Sequence, residues 1–593
     1  MPTVVHVTHE AIHKIGGIGA VLHGLLTSRT YLACADRNIL VGPYWQTGEH
    51  GDVRLGAGGT VIYSSLDGIN RTPLGQALAD IEARYEVAIV YGRRTFTDAR
   101  SGVTSSPEVL LIDVSRYDAA RIGAFKFRVW ERFGIDSARY DRAWDFEQWM
   151  RLGEPAIDAL RAIGAADPRV PSVILSHEYM GVPTVLASML ADDADAFRSI
   201  FHAHEVATIR RLVEDHPGHD ARFYNAMRAG KAREEYVDDV FGSQDDFYKH
   251  ALIGNVSRFD ELFGVGDSVL EEFAFLSPDM SEVRATLAYN GTPHFEIDAA
   301  EKERSRNLVL DYCQTLLGYR PDLILTHVTR LVSSKGLWRD LDVMAELDAL
   351  LHERGLTAVL IVLSTEGPAR RPDEIRKMQH DYGWPLAHRE GHPDLTGGEA
   401  NFYARVQRLN NRSRNVKAIF LNQFGFTRET CGLAMPTDID WMDLRKATDV
   451  EFGQSIYEPF GIAQVEPISF GGICVYTSLC GCAGLVRRAV KAAGLEHFPN
   501  VIEADYTRLP ASMAGLDPLS IGAAELQSIE RNESRRLAAE LMQTVPTTAA
   551  GRSESLARGQ RVAAHMSWDA VATAAIVPGI ERVAARCHPE ERV

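Results

Sequence analysis

The chain has 593 residues, of which 45% are hydrophobic and 24% charged, and its net charge is −17. That length is too great for one hydrophobic core, so two or more domains are expected. The acidic balance, without any Lys/Arg-rich tract, argues against nucleic acid as a partner. The longest apolar runs are strand-sized and far short of a membrane span. The N-terminus lacks the basic flank and long apolar stretch of a signal peptide. Seven scattered cysteines with no CxxC pair suit a reducing cytoplasm.

Short apolar runs alternate with helical stretches along the first half. They are TVVHVTH at the start, then 38–42, 60–65, 87–92, 109–114, 172–178, 199–205 and 251–257. Runs that are apolar throughout predict strands buried on both faces, hence a parallel sheet with helical crossovers. The aromatic- and arginine-rich segment 115–170 reads as a helical insertion. After YRPD the pattern restarts at 323–331, 357–364, 417–423 and 472–478. Leu337, Leu341, Met344, Leu347 and Leu350 recur at helical spacing before Gly355. The expected class is α/β with two doubly wound halves and a boundary near 295–321. Ligands of such sheets bind outside the carboxyl ends of the strands, so a cleft between the halves is the expected site.

Three stretches carry chemistry. HKIGGIGAVLHG (13–24) places Lys14, Gly16, Gly17 and Gly19 between a first strand and a helix. Free N–H groups and a lysine there make an anion site, with a plain tight turn as the equal alternative. It is neither the dinucleotide fingerprint nor a Walker loop. In THVTRLVSSKG, Arg330 and Lys335 follow a buried strand, two cations suited to a diphosphate. SIYEPFGIAQVEPISFGG sets Glu458 and Glu466 on either side of a turn through Gly461, where carboxylates can grip sugar hydroxyls. His177 and His202 read as packing or hydrogen-bonding residues, and no His/Cys spacing predicts a metal. Cys480 and Cys482 read as small residues of a tight loop.

Taken together, the KIGG loop, the Arg330/Lys335 pair and Glu458-x7-Glu466 within YEPFG resemble retaining GT-B glycosyltransferases, and among these glycogen and starch synthases. SHEYMGVPTVLA, IFHAHEVATIRR, YNGTPHFEID and HMSWDAVA are similar to further segments of that group, in the same order. The resemblance implies two Rossmann-like domains facing a central cleft, with a C-terminal helix returning to the first. It implies domains at 1–300 and 301–570 and a returning tail at 571–593. Carried over residue by residue, it assigns catalytic roles to His204, Arg330, Lys335 and Glu458. Donor contacts fall to Lys14, Gly16, Gly17, Glu178, Arg210, Phe460, Gly461 and Glu466. Lys14 and the N–H groups of Gly16 and Gly17 would approach the donor phosphates, and Arg330 and Lys335 would hold the diphosphate. Glu458 would contact the transferred sugar and Glu466 the ribose. His204 would lie beside the donor sugar with Arg210 nearby, and Glu178 would help bind sugar. No metal or cofactor is implied.

The expected activity is transfer of glucose from UDP- or ADP-glucose to the end of an α-1,4-glucan, with the anomeric configuration kept. The alternatives are a transferase making a small glycoside or surface polysaccharide, or a silent protein that binds glucan or nucleotide sugar. Ala20 stands where bacterial synthases usually carry Asp, and EPFG where the animal-fungal type has EPWG, which leaves the donor nucleotide open. Pro467, directly after Glu466, is expected to kink its helix.

Overall fold

A computed structural model describes residues 1–12, 16–45, 48–367, 371–382, 385–386 and 388–586. The chain forms two compact units. The first comprises Met1–Ile209, Gly230–Gly291 and the segment from Trp568 onward; the second comprises Arg210–Ala229 and Thr292–Ser567. Residues 210–229 and 292–300, expected with the first domain, thus pack with the second unit.

The first unit is built on a ten-stranded sheet. Its strands are β1 (Thr3–Val7), β2 (Arg37–Pro43), β3 (Gly59–Ser64), β4 (Ile69–Asn70), β5 (Ala88–Arg94), β6 (Glu108–Asp113), β7 (Ser172–His177), β8 (Phe197–Ala203), β9 (Glu261–Gly264) and β10 (Ala285–Leu287). Their order is β10-β9-β8-β7-β1-β2-β6-β5-β3-β4. The stretch from β10 to β6 is parallel. Against expectation, β5, β3 and β4 are antiparallel. Only β3 and β4 are joined by a tight turn; the chain reaches β5 from β4 through the helix Gly75–Tyr85. The run 251–257 is not a strand. It ends the helix Tyr248–Ile253 and continues as a short 3-10 turn, and the strand in that region is β9. Segment 115–170 is helical as expected, with helices Ala119–Phe133 and Trp144–Ala162.

The second unit has seven strands: β11 (Leu323–Val328), β12 (Ala358–Leu363), β13 (Arg389–Gly391), β14 (Val416–Asn422), β15 (Val450–Gly453), β16 (Ile473–Thr477) and β17 (Val501–Ala504). They are ordered β13-β14-β12-β11-β15-β16-β17 and every neighbouring pair is parallel. Alternate residues of β12 enter separate cores. Ala358, Leu360 and Val362 face one, and Val359, Ile361 and Leu363 the other. A strand covered on both faces must be apolar at every position, and the sequence runs record this.

The segment after Trp568 completes the first unit. A Cβ on Gly24 would lie 2.0 Å from the Trp568 indole, and one on Gly291 would lie 2.6 Å from its backbone. Both positions therefore need glycine for the indole to seat. Asp569 accepts from Ser28 Oγ at 2.5 Å, and Arg582 pairs with the fully buried Glu261. Among the described residues no helix is long and apolar enough to cross a membrane.

Candidate active site

In each sheet the first strand is flanked on its two sides by strands reached in opposite directions, which marks a reversal point. In the second unit β12 follows β11 on one side while β15 flanks it on the other. The loops leaving β11 and β15 therefore diverge and open a crevice at the strands' carboxyl ends, where α/β sheets bind ligands. Arg330, Lys335, Glu458, Phe460 and Gly461 all lie on these two loops.

The loops are stitched together by backbone. Ile456 N–H donates to the Ser334 carbonyl at 2.8 Å. Gly336 takes φ +61°, and a Cβ there would come within 2.4 Å of the Gln454 carbonyl oxygen. Only glycine permits this approach, and it carries Lys335 to Glu458, with which it forms an ion pair. Both side chains are mostly buried, at 16% and 14% exposure. Arg330 is exposed and has no side-chain partner among the described residues. Arg210 joins this set from the segment 210–229, with its guanidinium 5.1 Å from the centre of the Tyr457 ring, one residue before Glu458.

Gly461, at φ +81°, is enclosed by Gln464 and Glu458. The helix it opens has only four residues, Ile462–Val465, and passes into a 3-10 turn at Glu466–Phe470. Pro467 lacks the N–H an α-helix would use there, which accounts for the change of winding. Only one turn of α-helix therefore precedes Glu466. Glu466 Oε2 accepts from Arg445 Nε at 2.9 Å, and Arg445, fully buried, also contacts Glu451 at 3.0 Å. A buried guanidinium requires such partners. Phe460 is buried, and its carbonyl accepts from Cys482 N–H at 3.0 Å and from the Cys480 thiol at 2.7 Å. The two buried thiols lie 2.9 Å apart, tying this turn to the start of the helix Gly481–Ala492.

In the first unit the reversal falls between β1 and β7, since β2 follows β1 on the opposite side. Lys14 lies outside the described residues. Gly16 N–H, expected to meet a donor phosphate, donates instead to Glu10 Oε2 at 2.7 Å, as does Gly19 N–H at 2.9 Å. The chain's own carboxylate thus fills the anion position at the start of the helix Gly17–Leu26. Gly17 is exposed, with open space around its Cα.

Glu178 has left-handed backbone at φ +60° and is buried. Its Oε1 accepts the N–H of His204, and that of Glu205 at 2.7 Å. It positions the loop after β8.

The histidines form a group the sequence reading treats singly. His6 Nδ1 and His177 Nε2 are 2.9 Å apart, and His177 Nδ1 and His204 Nε2 are 2.8 Å apart. His177, His202 and His204 hold ligand-capable atoms within 4.8 Å of one another, the one such cluster among the described residues. Both nitrogens of His177 are engaged in ring-to-ring contacts. Burial holds His6 and His204 neutral by lowering their pKa to about 3, and drives His177 and His202 well below the usual histidine value. Nearby, Asp145 Oδ2 accepts from Tyr179 and Tyr248 hydroxyls, each at 2.6 Å, a polar aromatic cluster with no sequence signature.

No family model matches the chain, and no curated protein does. Solved structures do match over its whole length. The trehalose-6-phosphate structure from E. coli bound with UDP-2-fluoro glucose has a TM-score of 0.50 at 12% identity, covering 99% of this chain and 100% of that one. The catalytic domain of starch synthase IV from Arabidopsis thaliana bound to ADP and acarbose has a TM-score of 0.50 at 14% identity, covering 99% of both. A UDP-forming α,α-trehalose-phosphate synthase from Burkholderia xenovorans has 0.50 at 11% identity, covering 99% and 100%. At such identities the likeness is one of fold: two α/β units of the GT-B type, as the sequence led us to expect.

Proposed function

We propose that the chain is a retaining glucosyltransferase that moves glucose from UDP- or ADP-glucose to an acceptor hydroxyl, with the end of an α-1,4-glucan as that acceptor. The observation that carries this reading is the ion pair of Lys335 with Glu458 at the reversal point of the second sheet, on a loop that also bears Arg330. Two cations and a carboxylate there match a diphosphate joined to a polyhydroxyl sugar.

In the reaction the bond from glucose C1 to the phosphate oxygen breaks, and a bond from the acceptor oxygen to C1 forms on the same face. The acceptor's proton passes to the departing phosphate, and nucleoside diphosphate leaves. Lys335 and Arg330 stabilise the charge that develops on it. Glu458 takes the sugar hydroxyls, Arg210 and the Phe460–Gly461 turn support that loop, and Glu466 offers the ribose the oxygen Arg445 leaves open. His204 faces the donor sugar and Glu178 holds it in place. The assignments of Lys14 and Gly17 to the donor phosphates rest on the resemblance. The scheme calls for no cofactor and assigns charge neutralisation to arginine and lysine.

The solved structures that share the fold name UDP-2-fluoro glucose and ADP, which sets the donors to test. Purified protein is incubated with UDP- or ADP-glucose, with glycogen or a sugar phosphate. Released nucleotide and polymer-bound glucose are measured. Labelled glucan supports the proposal. Nucleotide release with labelled sugar phosphate alone overturns the glucan acceptor, and absence of both turnover and nucleotide binding overturns the whole reading.

A further inference from the structure

The period-two geometry of strands places four polar side chains in a row on one face of the first sheet. In register, Val4 faces Asn38, so His6, two residues on, shares the face of Asn38. His6 faces Leu175, so it shares the face of His177, and His177 faces His202 directly. His204 follows two residues after His202. Tyr31, fully buried on the short helix Arg29–Leu32, sits over the row.

Hydrogen bonds run without a break from Asn38 through Tyr31, His6 and His177 to His204, and they bypass His202. The Tyr31 hydroxyl donates to Asn38 Oδ1 at 2.8 Å and lies 2.7 Å from His6 Nε2. A phenol has one proton, and Tyr31 gives its own to the amide oxygen, so His6 Nε2 must be the donor to the phenol. A neutral imidazole also has one proton, so His6 Nδ1 is bare and accepts from His177 Nε2. By the same count His177 Nδ1 is bare and accepts from His204 Nε2. The count ends at His204, the only ring of the row that is partly exposed, with Nδ1 unprotonated.

We propose that Asn38, Tyr31, His6 and His177 form a tautomer relay that fixes His204 as its Nε2–H form, presenting Nδ1 as the acceptor for a hydroxyl of the bound sugar. The last step rests on the reading of His204 given above; the relay itself does not. Burial supports it, since every ring in the row is held neutral by the loss of solvation. His6, His177, Tyr31 and Asn38 are positioning residues and touch no substrate. A His204 with the opposite tautomer would meet a sugar hydroxyl as a donor and demand a different hydroxyl orientation.

The test reads protons directly. In full-length protein labelled with nitrogen-15 at histidine, long-range nitrogen–proton spectra without substrate should show protonated Nε2 and bare Nδ1 on His6, His177 and His204 at neutral pH. A proton on His204 Nδ1, or a mixture of tautomers, overturns the relay. Asn38→Leu removes the terminal acceptor, so the Tyr31 proton turns to His6 and all three rings invert, leaving the His204 proton on Nδ1. Asn38→Asp keeps an acceptor and the original pattern. An unchanged His204 in Asn38→Leu overturns the relay. Should that variant not fold, Tyr31→Phe removes the acceptor of His6 Nε2 and must disturb the His204 tautomer. Stoichiometric zinc bound by His177, His202 and His204 would also overturn it, because His177 cannot ligate and relay at once. These spectra stand even for a protein with no transferase activity. Where activity is found, a lower kcat for Asn38→Leu than for Asn38→Asp ties the relay to catalysis, and equal values overturn the sugar contact alone.

Discussion

Lys335 and Glu458 hold one another in the unliganded chain, and each of them has a second use. Exchange of that mutual contact for a phosphate and a sugar leaves neither charge without a partner, so binding costs little desolvation. Lys335→Ala should therefore lower turnover by about a hundred- to a thousandfold, the usual loss when a charge-stabilising donor is removed. Circular dichroism should be unchanged; retained activity would refute the phosphate role. His202 is the opposite case. It is fully buried, and neither ring nitrogen has a hydrogen-bond partner among the described residues. Such a group lowers stability without return, so His202→Leu should stabilise the protein by about 1 kcal/mol in urea titration. A large destabilisation would show that its nitrogens are in use.

At the level of elements, the helix Leu337–Arg354 has left-handed glycine at both ends, Gly336 at φ +61° and Gly355 at φ +66°. The two are not equivalent. A Cβ on Gly355 would meet open space, whereas one on Gly336 would strike the Gln454 carbonyl. Gly355→Ala should cost about 1 kcal/mol from backbone strain alone. Gly336→Ala should cost about 2–3 kcal/mol and also lower turnover, because it pushes Lys335 away from Glu458. Thermal melts and kinetics of the pair check this, and equal losses would refute it. The helix itself was legible in the sequence, as were most strands, because residues that face two cores leave long apolar runs. Segment 251–257 misled because a short apolar run serves helix and strand equally. β9, with Glu261 inside it, escaped because a buried acid breaks the pattern, and its partner Arg582 lies 321 residues away. The loops that carry Lys335 and Glu458 were legible through their motifs. The hold of Glu10 on Gly16, and of Arg445 on Glu466, was not, since pairing across loops leaves no periodic trace. The histidine row could have been found, because His6, His177 and His202 all interrupt runs whose other members face a core.

For the molecule as a whole, four buried neutral histidines couple folding to acid. Their folded pKa values are lowered, to about 3 for His6 and His204, while unfolded histidine takes up protons near its ordinary value. Their contribution to stability is therefore complete above about pH 6.5 and falls as pH drops toward the folded values. Each proton taken up on unfolding adds about 1.4 kcal/mol per pH unit to that fall, a slope approached about one pH unit below that point. Urea midpoints measured from pH 7 to pH 5 check it, and a flat profile would show that the rings are accessible in the native state. The seat of Trp568 has a different kind of consequence. Gly24 and Gly291 are shaped around an indole made hundreds of residues later, and Glu261 waits for the guanidinium of Arg582. On the ribosome, the second unit has all its residues by Ser567, while the first still lacks a wall. The part of the chain that emerges first is the part that finishes last, and during synthesis its unfinished face is a natural client for a chaperone.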